Sequence, residues 1–328
     1  KVWYSEERQI AMCEVTIVIP NYNGEKYLWN CVDSIYANTK VPFKLIVVDN
    51  GSTDESISQI ERSFPKAEVI RLDKNYGFCR AVNEGIRKSN TPYVLLLNND
   101  TVIRIGFVEQ LLHAIKKDKK IFSVEAKMLQ YMDPSLIDSA GTYYNAFGWA
   151  FSAGKDKPVF NYRKRKRTFS ACAGAAIYRK ELFRSVGLFD ETHFAYLEDV
   201  DIGYRARIMG YKNVYEPTAE VIHIGSASSG SRYNEFKVKY SSRNNIYLIY
   251  KNMPLFQTLI NFPLLCIGFG IKAVFFFRKG FGLVYLRGLL DGIALCKRDK
   301  KVKFQPKNLK NYIKIQIELW INLFRRLF

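Results

Sequence analysis

Short apolar runs alternate with amphipathic stretches from Val15 onward. Val15–Pro20 (VTIVIP), Lys44–Asp49 (KLIVVD), Glu68–Arg71 and Tyr93–Asn98 (YVLLLN) read as strands, because continuous apolar runs of this length suit strands buried on both faces. Between them, Glu25–Ala37, Asp54–Phe64, Gly77–Lys88 and Gly106–Lys117 carry apolar residues at helical spacing. Strands alternating with helices pair in parallel through right-handed crossovers. The expected fold class is therefore α/β, doubly wound around a mostly parallel sheet. Such sheets bind ligands at the C-terminal ends of their strands. That rule singles out Asn21–Asn23, Asp49–Thr53 and Asn98–Asp100.

After about Lys127 the rhythm breaks. Residues 128–169 are rich in Tyr, Gly, Ser and Asp, include the basic run Arg163–Arg167, and predict a loop-rich insertion. Phe169–Tyr178 is apolar with small residues. Glu181–Val186 and Leu197–Met209 predict helices, Val214–Glu216 and Glu220–Ile224 two strand-like pieces, and Asn234–Asn252 a further helix. Ser226–Ser231 (SASSGS) predicts a small loop. Met253–Ile271 then runs 19 residues without a charge, and later apolar segments are broken by Arg278, Lys279, Arg287 and Asp291. The basic cluster Lys297–Lys303 and the segment Asn311–Phe328 close the chain. Residues 1–252 are thus expected to form the catalytic domain and 253–328 a helical membrane-association region. A span needs ~20 predominantly apolar residues, and Pro254, Asn261 and Pro263 interrupt this one. Basic, aromatic-rich helices lying in or re-entering the membrane interface are the expectation, with a single transmembrane span and an ordinary soluble helical layer as the alternatives.

Charge sharpens that division. The 328 residues carry a net +19, but residues 1–230 hold 31 basic against 27 acidic groups and residues 231–328 hold 19 against 4. A near-neutral body with a basic, apolar tail points to an anionic membrane surface as partner and away from nucleic acid. Six scattered cysteines without a CxxC pair suggest neither a zinc site nor a disulfide framework, but reduced thiols in the cytosol. Lys1–Cys13 has no apolar core of a signal peptide, so no leader is expected.

The strand ends carry the candidate chemistry. Asp49-Asn50-Gly51-Ser52-Thr53-Asp54 reads either as a capped turn or as a base site, with Asp49 accepting from an imide N–H beside the ring of Tyr22. Asn98-Asn99-Asp100 is a turn, or a site where Asp100 binds Mg2+ or Mn2+ along with diphosphate oxygens. His223, closing a later strand, is a structural histidine or a second ligand. Asn75–Asn83 opens a helix whose N–H groups face a phosphate. Glu198-Asp199-Val200-Asp201 places three acids in four residues, more than capping needs, and suits a general base at the mouth of a site. No GxGxxG follows the first strand and no GxxxxGK[ST] occurs, so dinucleotide and P-loop classes lose their main signal.

Seven segments in order carry a resemblance: VTIVIPNYNG (15–24), LIVVDNGSTDES (45–56), NYGFCRAVNEGI (75–86), LLLNNDT (95–101), CAGAAIYRKELFRSVGLFDE (172–191), YLEDVDIGYRARIMGY (196–211) and VIHIGSASSGS (221–231). The chain resembles the family 2 glycosyltransferases of GT-A fold, in particular the rhamnosyltransferase-type enzymes that extend lipid-linked polysaccharides. The resemblance implies an inverting, metal-dependent transfer from a nucleotide-diphospho-sugar, dTDP-rhamnose first and UDP-hexoses next. The implied acceptor is a polyprenyl-diphosphate-linked saccharide at the cytoplasmic face of the cell membrane, in cell-surface polysaccharide biosynthesis. It implies that Pro20, Tyr22 and Asp49 hold the base, and that Asn75, Gly77 and Asn83 sit near the nucleotide and phosphates. Asn98, Asn99 and Asp100 stand at the DxD-type motif, where Asn98 replaces an acid and Asp100 binds the metal. His223 matches a histidine that completes the metal shell in some relatives. Asp199 matches the family base, with Glu198 beside it. Arg243, in SSRNN, lies where several relatives place a diphosphate-binding arginine, although no QxxRW stands here. Two competing readings are a nucleotidyltransferase acting on sugar phosphates and a non-catalytic, membrane-bound nucleotide-binding scaffold. The intact Asp49, Asp100, Asp199 and His223 argue against the scaffold.

Overall fold

The computed structural model describes residues 13–225, 233–297 and 300–327. The SASSGS loop and residues 1–12 lie outside them, as does part of the basic cluster 297–303. The first half follows the hydrophobic pattern closely: β1 (Val15–Asn21), α1 (Leu28–Asn38), β2 (Phe43–Asp49), α2 (Ser56–Ser63), β3 (Glu68–Arg71), α3 (Phe78–Lys88) and β4 (Tyr93–Leu97). β1 lies between β2 and β4, β3 flanks β2, and all four run parallel. Alternate strand residues feed opposite layers. Ile17, Ile19, Val47 and Leu95 pack under α1 and α2. Val18, Val48 and Leu96 pack against Cys79, Val82 and Ile86 of α3.

The second half is β5 (Thr101–Ile103), α4 (Phe107–Lys116), β6 (Ile121–Gln130), β7 (Ile137–Ser139), β8 (Thr142–Tyr144), β9 (Ala150–Ser152), β10 (Lys166–Thr168), β11 (Ala175–Arg179), α5 (Phe183–Val186), α6 (Glu198–Ile208) and β12 (Lys212–His223). The main sheet has the order β10-β12-β6-β11-β4-β1-β2-β3. β11 enters antiparallel between β4 and β6, while β6 and β12 are parallel. β12 is one strand where the sequence pattern predicts two pieces. Its register shifts between Glu216 and Glu220, where Pro217 offers no N–H to the ladder. The insertion is more ordered than its composition suggests. β8 and β9 form a hairpin, and part of the basic run joins the sheet as β10, with Lys166 over the rings of Tyr143, Tyr162 and Tyr215.

Four helices complete the chain: α7 (Glu235–Asn252), α8 (Leu255–Arg278), α9 (Gly282–Ala294) and α10 (Leu309–Leu327). Core packing continues across residue 252. Tyr144, Phe169, Val200 and Tyr204 share one cluster with Leu248, Met253, Leu265, Tyr312 and Leu319. Buried amides lock the layer. Tyr204 Oη donates to Gln257 Oε1 at 2.9 Å, Gln257 Nε2 donates to Tyr312 O at 2.9 Å, and Asn261 and Gln316 exchange two 2.8 Å bonds. α9 approaches α7 so closely that a Cβ at Gly288 would stand 1.9 Å from Ser242 Oγ, and one at Gly292 2.4 Å from the Arg243 carbonyl oxygen. The opposite faces stay open. Leu255, Leu259, Phe262, Ile267, Val274 and Phe277 of α8, Leu283, Leu290 and Ile293 of α9, and Ile313, Ile317, Ile321 and Phe324 of α10 are all exposed.

Candidate active site

The parallel register brings the ends of β1 and β2 level, with Asn21 beside Asp49. Asp49 is 7% exposed, and its Oδ1 accepts the Ser52 N–H at 3.1 Å, which fixes the DNGS turn. Pro20 and the exposed ring of Tyr22 stand on the neighbouring strand end. Asn21, one of the strand-end residues the sequence singles out, ties three segments together. Its Nδ2 donates to Ser56 Oγ at 2.9 Å and its Oδ1 accepts from Asn99 Nδ2 at 2.8 Å. Gly24 passes over that junction, where a Cβ would stand 2.1 Å from Asn21 Oδ1.

Asn98 and Asp100 flank the turn from β4 into β5. β5 pairs antiparallel with β12, with Thr101 opposite His223. That pairing places Asp100 Oδ1 3.4 Å from His223 Nε2. On the other side of the ring, His223 Nδ1 lies 2.8 Å from Asp138 Oδ2, and Asp138 also pairs with Lys155. Burial alone would lower the His223 pKa. Hydrogen bonds to Asp100 and Asp138 outweigh it and raise the imidazole to about 9. An imidazolium held between two carboxylates marks a place that favours positive charge. The donor set, one carboxylate oxygen and one imidazole nitrogen, fits Mn2+ or Mg2+ when diphosphate and water supply the remaining ligands. Among the described residues no group of three His, Cys, Asp or Glu side chains could hold an ion.

The predicted phosphate loop is braced from beneath. Asn50 Oδ1 accepts the Tyr76 N–H and its Nδ2 donates to Asn75 Oδ1, both at 2.9 Å, while Asn75 Oδ1 also accepts the Gly77 N–H at 2.9 Å. Gly77 has φ +86°, and a Cβ there would meet the Phe194 carbonyl at 2.6 Å. Asn83 stands apart from this edge. It is buried, donates to Phe189 O at 2.8 Å and accepts the Phe189 N–H at 3.0 Å, so its amide serves the 189–191 turn.

Glu198 and Asp199 open α6, half-buried. Asp199 Oδ1 accepts the Val200 N–H at 2.7 Å, and Glu198 Oε2 has no hydrogen-bond partner among the described residues. Desolvation pushes both carboxyls well above the ordinary carboxylate range. Asp199 lies close enough to the 172–174 loop to push up the Cys172 thiol along with burial. That loop in turn abuts Asn98, whose N–H donates to Gly174 O at 2.8 Å. Cys172–Gly174 therefore borders the Asn98–Asp100 turn, with Asp199 near enough to act on the Cys172 thiol. Glu125, a buried acid missed from the sequence, organises this junction by accepting from Ser139 Oγ, the Thr142 N–H and the Cys172 N–H at 2.6, 3.0 and 3.1 Å. Its signal was one acid inside the apolar run IFSVEAKML. Arg243 is engaged with protein: its Nη2 donates to the Thr192 and His193 carbonyls at 2.9 Å each, and its guanidinium lies over the Tyr240 ring.

The fold is that of the GT-A glycosyltransferases. A model of glycosyl transferase family 2 matches residues 16–187, and the chain belongs to that family. It is 24% identical over 239 residues to the N-acetylglucosaminyl-diphospho-decaprenol L-rhamnosyltransferase of Mycobacterium tuberculosis, covering 65% of this chain and 77% of the relative. It is 30% identical over 229 residues to the uncharacterized protein y4gI of Sinorhizobium fredii, covering 66% of this chain but only 25% of that longer protein. Among solved structures it is similar to S. aureus TarS residues 1–349 in complex with UDP-GlcNAc, with a TM-score of 0.59 and 17% identity over 93% of this chain and 89% of that one. GalNAc-T7 with UDP, GalNAc and Mn2+ aligns with a TM-score of 0.59 and 17% identity, covering 73% of this chain and 48% of that one.

Proposed function

We propose that this chain is an inverting glycosyltransferase that moves a sugar, rhamnose in the first instance, from a nucleotide-diphospho-sugar to a polyprenyl-diphosphate-linked saccharide. The observation that carries the reading is the pairing of Asp100 with His223, 3.4 Å apart, where β5 meets the end of β12 in the sheet whose β2 ends at Asp49. Asp49 takes the imide N–H of uracil or thymine, and Tyr22 covers the ring. The Asn75–Gly77 loop approaches the diphosphate. Asp100 and His223 Nε2 would hold a divalent ion, which when bound offsets the charge that grows on the leaving nucleoside diphosphate. Asp199 removes the acceptor hydroxyl proton as the anomeric carbon becomes oxocarbenium-like, a contribution of ~10²–10⁴ in rate. A single in-line displacement needs no enzyme nucleophile and inverts the anomeric centre. The M. tuberculosis relative, named for a decaprenol-linked acceptor, supports the acceptor class.

The C-terminal layer fits a chain that rests on the cytoplasmic face of the membrane. α8 has the length and apolar composition of a span. Yet Gln257, Asn261, Leu265, Gly268 and Phe276 bury one stripe of it against the body along nearly its whole length. A helix fastened lengthwise to a folded domain lies along a bilayer surface rather than through it. Its open apolar face, with those of α9 and α10, forms a patch of the kind that seeks lipid. Transfer should be assayed with the full chain on anionic vesicles carrying a polyprenyl-diphosphate N-acetylglucosamine acceptor. The donor panel is dTDP-rhamnose, UDP-glucose, UDP-N-acetylglucosamine and GDP-mannose. One donor should yield a lipid-linked disaccharide of inverted anomeric configuration. Retention of configuration, or nucleotide-sugar synthesis from a sugar phosphate and a nucleoside triphosphate without transfer, would overturn the reading.

A further inference from the structure

We infer that Asn244 is a positioning residue for the catalytic carboxylates: it clamps the strained chain at 193–196 that delivers Glu198 and Asp199 to the mouth of α6. The inference rests on the reading of Asp199 as the base. Asparagine is a poor helix former, yet Asn244 and Asn245 stand side by side in the interior of α7, both buried. A buried amide must find partners. Asn245 accepts from Tyr144 Oη at 2.9 Å and donates to Gly148 O at 2.5 Å, which joins α7 to the hairpin. Asn244 has a different task. Its Nδ2 lies 2.8 Å from His193 O, 2.7 Å from Ala195 O and 2.8 Å from Tyr196 O. Two N–H groups thus serve three carbonyls. Arg243 Nε donates to Asn244 Oδ1 at 2.9 Å, which decides which end of the amide faces the loop. Arg243 Nη2 adds bonds to Thr192 O and His193 O, so one arginine and one asparagine together hold four carbonyls, those of Thr192, His193, Ala195 and Tyr196.

That loop pays an unusual conformational cost. Phe194, Tyr196 and Leu197 have φ of +60°, +70° and +66°, and none is glycine. A left-handed backbone at a non-glycine residue is strained, so the path persists only where its surroundings over-determine it. Leu197 is the residue from which α6 starts, and no side chain caps that helix. Glu198 and Asp199 therefore inherit their position from the backbone before them. The same loop touches the donor side: Phe194 O accepts the Phe78 N–H at 2.7 Å, and its ring stacks on Tyr240 of α7. With Asn244 truncated, the carbonyls lose their shared donor and Leu197 can relax to an ordinary φ, which swings the carboxylates away from the acceptor. A displacement of about 1 Å is enough for a ~10²-fold loss.

The test compares Asn244→Ala and the milder Arg243→Lys with the parent full chain, using whichever nucleotide sugar of the donor panel is turned over. The expected result is a kcat loss of ~10²-fold for Asn244→Ala and ~10-fold for Arg243→Lys. UDP and dTDP affinity by calorimetry should stay within about threefold, because Asp49 and the Asn75–Gly77 brace are untouched. The acid limb of kcat/KM should move toward the ordinary carboxylate range as the carboxyls become solvated. Carboxyl infrared titration of the free proteins, with Asp199→Asn to assign the band, reads the same shift without substrate. Parent-like kcat and an unmoved carboxyl titration in both variants would overturn the inference, as would a loss that only follows the unfolded fraction. Full turnover by Asp199→Asn would instead remove the base assignment, an outcome distinct from failure of the clamp.

Discussion

His223 Nδ1 lies 2.8 Å from Asp138 Oδ2, and a carboxylate only accepts, so this nitrogen carries a proton and Nε2 is left to face Asp100. The ring orientation that would present Nε2 to a divalent ion is thus set by a third residue. Carboxylates in this outer position typically change metal affinity by 10–100-fold. We expect Asp138→Asn to weaken Mn2+ binding by about that factor in calorimetry in the presence of UDP, and exhaustive chelation to abolish transfer until Mn2+ or Mg2+ is restored. Unchanged Mn2+ affinity in the variant would detach His223 from the ion.

Asp199→Asn should keep nucleotide affinity and lose ~10² or more in kcat, because the amide cannot take the acceptor proton. In the parent, desolvation holds the Asp199 and Glu198 carboxyls high, so the base is lost on mild acidification. The acid limb of kcat/KM should therefore lie close to neutrality rather than near the ordinary carboxylate value of about 4. A flat profile down to that value, measured with donor in excess, would move the base elsewhere.

Lys251 bridges the partly buried Asp190 and the buried Asp201, with Nζ 2.6 Å from Asp190 Oδ2 and 3.0 Å from Asp201 Oδ2, and Arg205 completes the network at 2.7 Å. Burial alone would raise both carboxyls. Lys251 at Asp190, and Arg205 with Lys251 at Asp201, overcome it and leave both below the ordinary range. A depressed folded-state pKa means that the stabilisation is complete above the unfolded value and lost as pH falls through about 4 and below. Thermal unfolding should show a steep drop in Tm over that interval. Lys251→Met should cost about 3–5 kcal/mol at pH 7, since it strands buried charge, and should flatten the acid drop.

Gly292→Leu should destabilise the folded chain and lower kcat together, because the added side chain would strike the Arg243 carbonyl on the helix that holds the base loop. Tryptophan fluorescence unfolding and transfer rate measure the two effects. A variant at Leu290, on the open face of the same helix, should change neither in detergent.

Much of this arrangement is legible in the residues alone. The first four strands and their helices follow from uninterrupted apolar runs, and Asp49, Asp100 and Asp199 announce themselves as polar groups at the ends of apolar elements. What stays hidden is long-range pairing. Asp138 lies in a loop-rich stretch with nothing to mark it, and becomes meaningful only when His223, 85 residues away, turns toward it. Glu125 is a single acid whose role is to receive bonds from other segments, and the strand-end position of Asn21 does not reveal that it bridges Ser56 and Asn99. Asn244 sits within a run that reads as an ordinary polar helix face. Asn83 errs the other way: it stands in a motif associated with the nucleotide, but the buried turn at Phe189 takes its amide. Local pattern registers what a segment does to water, not which distant carbonyl it will meet.

The backbone-to-backbone contact at Gly288 and Gly292 has a practical meaning for anyone handling the protein. The helix bearing Asn244 has no room to be anything but sandwiched, with the 193–196 loop on one flank and α9 on the other. Cutting the chain after Asn252 would not liberate a soluble catalytic module. It would expose Val238, Leu248 and the underside of Tyr204, and release the helix that braces the base. A soluble enzyme is better sought by leaving every helix in place and making polar the outward residues Leu255, Leu259, Phe262 and Leu290, all of which are exposed.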